Sequence, residues 1–261
     1  MQKLQIFKIQ YYEAYKNKFN TDYFKMLVDI KQKDFTAENF KFYNSLSSIY
    51  SSKIEGEPME VDSYVKHKML NVQYLKNITN KIDDLFTAYE FAQNNKLTYK
   101  NFLHAHAILT RHFLPAQDRG KIRSHSMYVM DQNDRVVYIA ANPEIVDAET
   151  KKLFHDIVLL LKVKMKVQQL FYTAAMIHLQ FVAIHPLMDG NGRTARLLEK
   201  WFLSEKLNEI AWFIQTEKFY FKNIESYYKN LNDIGNNYNT IDYSKSIPFL
   251  LMLPESLTIS I

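Results

Sequence analysis

His185-Pro-Leu-Met-Asp-Gly-Asn-Gly-Arg-Thr-Ala-Arg196, or HPLMDGNGRTAR, is the stretch on which the reading of the whole chain turns. Gly190, Asn191 and Gly192 favour a tight turn, because glycine accepts positive φ and asparagine tolerates it. The residues that follow have helical spacing. Leu197 and Trp201 are four apart, as are Leu198 and Phe202, which suits a buried helix. A turn with free backbone N–H groups leading into a helix N-terminus is an anion cradle. Arg193 and Arg196, three apart on the first turn, can both point at that anion. Asp189 would repel a bare phosphate but can hold a Mg²⁺ that phosphates also bind. Pro186 pushes His185 out of helical geometry. That places the imidazole at the mouth of a loop, free to act as a base.

A Gly-Asn-Gly turn alone is usually a connection, and a lone His-Pro is usually a helix end. Seven specified positions at fixed spacing, however, arise by chance on the order of once per billion starts. The stretch resembles the signature of the Fic domain family, HxFx(D/E)GNGRxxR, with Leu187 where phenylalanine is usual. An apolar swap at that loop-packing position costs packing rather than chemistry. The resemblance implies an all-α fold, a helical bundle with one small β-hairpin flap over the active site. It also implies transfer of AMP from ATP to a hydroxyl of a target protein. In that scheme His185 is the base, and Asp189 holds Mg²⁺. Gly190, Asn191, Gly192, Arg193, Thr194, Ala195 and Arg196 bind the nucleotide. Val129 and Met130 of the flap, and Tyr228 beside the adenine, complete the nucleotide site.

The chain has 261 residues, enough for one large domain or two small ones. Apolar residues at 47% permit a sizeable core and exclude the disordered class. There are no cysteines, so disulfides and thiolate metal sites are excluded and a cytoplasmic setting is expected. The first residues lack the apolar run of a signal peptide. The apolar run Ile247 to Leu253 is interrupted by Pro248 and is too short to cross a membrane. The net charge of +5 comes from interspersed residues, which predicts a solvated surface rather than a nucleic-acid footprint. No nucleic-acid or membrane partner is expected.

Periodicity predicts helices almost throughout. Phe40, Tyr43, Leu46, Tyr50 and Ile54 form an apolar stripe over Phe35 to Glu55, and Leu75 to Ala92 repeats the pattern. Thr98 is placed to cap a helix through Phe102, Leu109 and Phe113. Met127 to Met130 and Val136 to Ala140 are strand-like, separated by Asp131, Gln132, Asn133 and Asp134, which predicts a hairpin. In the resembling family such a flap docks the target by strand addition. Asn142 then caps a helix with Pro143 at its first position, running to about Met165. Val167 to Phe181 defines the helix that ends at the motif, and another is expected from Phe219 to Ile234. One Fic-type domain over 1–261 is expected, with an N-terminal helical part about 36–95 and a catalytic core about 98–235. No winged-helix domain of the kind that some relatives append is expected after these elements. Relatives are sometimes regulated by dimerisation, so the resemblance allows a homodimer.

Ser51 to Gly56, SSKIEG, is the second informative stretch. Gly56 suits the end of a helix. Glu55 then sits where the helix dipole is negative, which disfavours a carboxylate unless a cation meets it. The stretch is similar to the (S/T)xxxE(G/N) motif of Fic proteins that carry their own inhibitory helix. There the glutamate pairs with the second signature arginine, here Arg196, and takes the place of the γ-phosphate. The same glutamate can position water for removal of AMP, so the reverse reaction stays open. Two alternatives stand beside this reading: a Fic-fold transferase using another nucleotide, and a non-catalytic protein-binding module. Among the other histidines, His178 reads as packed or surface. His104 and His106, two apart on a helix, face different directions and make a poor metal pair. His125 lies in the flap and is given no role.

Overall fold

The computed structural model describes residues 3–32, 34–130 and 133–260. The fold is all-α, with a single two-stranded antiparallel sheet among the described residues. The helices are α1 (Tyr12–Lys16), α2 (Asp22–Lys31), α3 (Ala37–Ile54), α4 (Val61–Leu70), α5 (Lys76–Asn94) and α6 (Tyr99–Leu109). They continue as α7 (Pro143–Lys162), α8 (Val167–Ile184), α9 (Asn191–Leu207), α10 (Thr216–Lys222), α11 (Ile224–Asn232) and α12 (Ile247–Glu255). The hairpin, β1 (Tyr128–Met130) and β2 (Val136–Ile139), falls where the alternation placed it. Tyr128 pairs with Ile139 and Val129 with Tyr138, and a bulge follows before Met130 meets Val136. Asp131 and Gln132 of its loop lie outside the described residues.

The centre of the bundle is α8, packed along α9. By length and composition alone α8 could cross a bilayer, but 78% of it is buried inside this fold. One apolar cluster runs from Phe7 to Leu257. A smaller one joins Ile49, Met59, Tyr64 and Ile82 under α3, α4 and α5.

Four expectations need correction. The face that α3 buries is only partly the predicted stripe: Phe40 and Ile54 are in the core. Tyr43, Leu46 and Tyr50 are only half-buried, whereas Asn44, Ser45, Ser47, Ser48, Ser51 and Ser52 are buried. Small hydroxyl side chains let α3 approach its neighbours closely and bond the charges that α9 turns towards it. The helix begun by Thr98, whose Oγ1 accepts from Asn101 N at 3.1 Å, stops at Leu109, so Phe113 lies in the following turn. Pro143 opens α7, but Asn142 makes no side-chain cap bond, and α7 ends at Lys162. The helix expected over Phe219 to Ile234 is two helices. Asn223 breaks it: its side-chain amide donates to Phe219 O at 2.9 Å, a local bond that competes with the helical ladder.

Candidate active site

The signature loop is built between the end of α8 and the start of α9. His185 leaves α8 in the left-handed region (φ 51°, ψ 59°), a conformation that histidine adopts more readily than most side chains. Its Nδ1 donates to Val182 O at 3.1 Å. That bond fixes the tautomer and leaves the Nε2 lone pair free. Burial pushes the imidazole down to about 4, outweighing the opposite pull of the Val182 carbonyl, so His185 is neutral at pH 7. Leu187 is fully buried. Asn191 closes the loop on itself: its Oδ1 accepts from Leu187 N at 2.9 Å and its Nδ2 donates to Leu187 O at 2.8 Å.

The three-residue turn expected from the sequence is narrower than the reading. Only Gly190 has positive φ, 74°, while Asn191 and Gly192 already belong to α9. The reason for glycine at 192 is a close approach. A Cβ there would lie 2.5 Å from Glu55 Oε1 and 3.3 Å from Arg196 Nη1.

Glu55 arrives at that spot from the end of α3. Gly56 (φ 88°) donates to Lys53 O, and Glu57 N to Ser52 O at 3.1 Å. This is the paired bonding of a Schellman stop, and it makes Glu55 the C-cap residue. Its carboxylate, 29% exposed, bonds Arg196 Nη2 at 2.6 Å. Burial is the largest single influence and raises its pKa, but the charges of Arg196 and Arg193 and the hydrogen bond from Arg196 together outweigh it and hold the carboxyl below the ordinary glutamate range. Arg196 also donates from Nε to Ser51 Oγ at 2.8 Å and from Nη2 to Ser51 O at 3.0 Å. Its Nη1 lies 3.5 Å from the Tyr227 hydroxyl.

Arg193 behaves differently. It is 6% exposed and stacks over the Phe113 ring at 4.1 Å. Its Nε and Nη1 are buried without a partner. Stacking uses the face of the guanidinium and leaves its edge donors free. Two edge donors without a partner beside a helix N-terminus fit an incoming phosphate. Asp189 is exposed and its Oδ1 accepts from Gly190 N at 2.5 Å. Among the described residues no three His, Asp or Glu side chains gather to hold a metal. A single exposed carboxylate such as Asp189 fits a Mg²⁺ carried mainly by phosphates and water.

The structure therefore brings His185, Asp189 to Arg196 and Glu55 together. It leaves three sequence-predicted positions at the edge. Tyr228 is 42% exposed and donates to Ile54 O at 3.1 Å, on the last turn of α3. Met130 is 54% exposed and Val129 half-buried on the hairpin.

Other site residues were not foreseen. His178 is wholly buried and part of a chain of bonds: its Nδ1 meets Glu199 at 2.9 Å and its Nε2 the Tyr227 hydroxyl at 3.0 Å. Lys200 is buried with Glu217 at 2.6 Å and Ser47 at 2.7 Å. His106 Nε2 donates to Asp189 O at 3.0 Å and its Nδ1 accepts from Gly120 N at 2.9 Å, so it braces the signature loop. The one signal for this set was the run of charged residues Glu199 and Lys200 inside an apolar helix pattern, opposite the serines of α3.

A helical bundle with a hairpin beside a His-loop-helix anion seat is the architecture of Fic proteins. Residues 96–203 match the sequence model of the Fic/DOC family, and the chain carries a Fic/DOC domain over that span. The family is known for AMPylation or other nucleotidyl transfer to proteins. A Fic family protein from Desulfovibrio desulfuricans G20 superposes with a TM-score of 0.74 at 18% identity, over 99% of this chain and 76% of that one. A Fic domain-containing signalling protein from Bacteroides thetaiotaomicron gives 0.66 at 19% identity, over 96% and 95%. Residues 134–508 of Fic-1 from C. elegans give 0.70 at 16% identity, over 95% and 71%. At these identities the likeness is one of fold. No functionally curated protein matches the sequence.

Proposed function

We propose that this chain is a protein adenylyltransferase, moving AMP from ATP to a hydroxyl side chain of a target protein, and that Glu55 restrains it. One observation carries the reading. The chain's own carboxylate lies against Gly192 at the amino end of α9 and on Arg196, beside an arginine whose edge donors have no partner. An anion seat is therefore held by an internal anion, whose oxygens stand in for those of an outer phosphate.

In the reaction, the target hydroxyl oxygen attacks the α-phosphorus as its proton passes to His185 Nε2. The bond from phosphorus to the pyrophosphate oxygen breaks, and pyrophosphate leaves. Neutral His185 can accept that proton, and nearby phosphate charge raises its basicity above that of the closed state. Arg193 and the first N–H groups of α9 meet charge developing on the phosphoryl oxygens. Arg196 orients the outer phosphates once Glu55 moves away. Asp189 would hold a Mg²⁺, which supplies further charge neutralisation when bound. The exposed edge of the hairpin suits a target segment added as a strand, and Tyr228 would border the adenine. With Glu55 in place, water positioned by its carboxylate could instead release AMP from a modified protein. The absence of cysteine supports a cytoplasmic setting.

The test is incorporation of label from α-labelled ATP with Mg²⁺ in the parent, Glu55→Gly, and Glu55→Gly with His185→Ala. The reading expects strong self-labelling in Glu55→Gly alone. Labelling that survives His185→Ala removes that residue as the base. No labelling in any variant, including with other labelled nucleotides, leaves the protein-binding reading.

A further inference from the structure

The end of α8 leaves its last carbonyls without partners along the helix, and each finds one from a small set of groups. Val182 O accepts from His185 itself at 3.1 Å. Ala183 O accepts from the Tyr138 hydroxyl of β2 at 2.8 Å. Ile184 O and His185 O accept from the guanidinium of Arg123, at 3.4 Å from Nη2 and 2.8 Å from Nε. Pro186 O accepts from the backbone N–H of the same Arg123 at 2.9 Å. That guanidinium also reaches both ends of the hairpin. Nη1 donates to His125 O at 2.6 Å, before β1, and Nη2 to Ala141 O at 2.5 Å, after β2.

Arg123 is 3% exposed, and among the described residues its guanidinium bonds only to carbonyls. Its charge is met by those dipoles and by the negative end of α8, an 18-residue helix, which is where a cation is favourable. A planar fork of five donors can serve carbonyls on two separate segments at once. A lysine has three donors on one nitrogen and cannot serve all four of these carbonyls.

We propose that Arg123 is a positioning residue that registers the hairpin against the His185 loop, so that a protein segment held on the flap meets the base at a fixed distance. It rests on the proposed function for what the flap and His185 do. The mechanical coupling stands on the bonds alone.

Hydrogen exchange tests the coupling without any substitution. Ala140 N bonds Met127 O in the hairpin, and Leu187 N bonds Asn191 in the loop. In the parent, these two amides are expected to open in one shared transition across a urea series. Separate transitions overturn the proposal. In Arg123→Lys and Arg123→Gln, both amides should exchange at least tenfold faster while amides of α5 stay unchanged. Acceleration at the hairpin alone overturns it. In the Glu55→Gly background, Arg123→Lys should keep ATP affinity within twofold and lose AMP transfer at least tenfold. Transfer and ATP affinity falling together, or transfer kept within twofold, overturns it. If Glu55→Gly transfers nothing by itself, the proposed function fails instead, and the exchange data still decide the coupling.

Discussion

Replacing Glu55 by glutamine removes one charge and almost no volume. Arg196 is 1% exposed and Glu55 Oε1 lies 2.6 Å from its Nη2. At an effective dielectric near 20, two unit charges about 4 Å apart attract by about 4 kcal/mol. The Glu55 side chain is 29% exposed, so solvent screening cuts that roughly in half. Ser51 and Tyr227 remain on the guanidinium, so Arg196 is left partly satisfied. The apo protein should therefore lose about 2 kcal/mol of stability. An outer phosphate of ATP would then no longer displace a carboxylate to reach Arg196. The same 2 kcal/mol should return as an affinity gain of roughly 30-fold for ATP. AMP, which has no outer phosphate, should gain less than about threefold. Calorimetric titration of parent and Glu55→Gln with ATP, ADP and AMP reads this directly. Equal gains for AMP and ATP would show that Glu55 does not compete with an outer phosphate, and no gain for either would show that it does not block the seat.

His106 gives a pH prediction. Burial pushes it down to about 4, and its neutral tautomer uses both ring nitrogens. Its folded pKa lies below its unfolded one, so the unfolded chain takes the proton first. Stability should fall as pH drops from about 6.5 towards 4, by up to about 3 kcal/mol from this group. Urea unfolding across that range should show a shallower slope, by about one proton, in His106→Phe. Gly192→Ala puts a methyl group into the seat at 2.5 Å from Glu55 Oε1. It should loosen the Glu55–Arg196 pair and also block phosphate, so ATP binding should weaken at least tenfold and stability should fall by up to the roughly 2 kcal/mol assigned to that pair. Asp156, fully buried, accepts from the backbone N–H groups of Gln5, Ile6 and Phe7 at 2.8–3.0 Å. Asp156→Ala should cost about 3 kcal/mol and release this segment to limited proteolysis, and a segment that stays protected would refute the anchoring.

Elements whose signal is local could be read from the sequence. Gly56 ends α3 because a left-handed position is needed there, and one glycine announces it. The hairpin lies between two polar clusters, and α8 and α9 carry apolar faces at helical spacing. What escaped depends on partners far along the chain. The serines of α3 look like a weak helix face until Arg196 and Lys200 of α9 meet them. Arg123 looks like a surface charge in a loop, because backbone carbonyls more than sixty residues away leave no mark in composition. Asn223 carried a readable warning, since a side chain that bonds its own turn breaks a helix.

The distribution of charge on α9 argues for where the ligand goes. Four charged side chains of this helix are buried: Arg193, Arg196, Glu199 and Lys200. Three are compensated by the chain. Arg196 has Glu55, Glu199 has His178 and the Tyr220 hydroxyl at 2.9 Å, and Lys200 has Glu217. Arg193 alone of the four keeps two nitrogens without a partner. An unpaired buried donor costs on the order of 1–3 kcal/mol, more for a charged group, and the fold bears that cost next to Gly192 and the free end of the helix. Arg196 bonds the internal carboxylate directly, whereas Arg193 only feels the charges of Glu55 and Asp189 and keeps its Nε and Nη1 donors unbonded. On the proposed function, a nucleotide would place a phosphate on Arg193 before Glu55 moves, and only the outer phosphate would wait for Arg196. The proposed function then expects binding and release of restraint to be separable steps. Arg193→Lys should weaken ATP binding in both the parent and Glu55→Gly, whereas Arg196→Lys should weaken it only in Glu55→Gly.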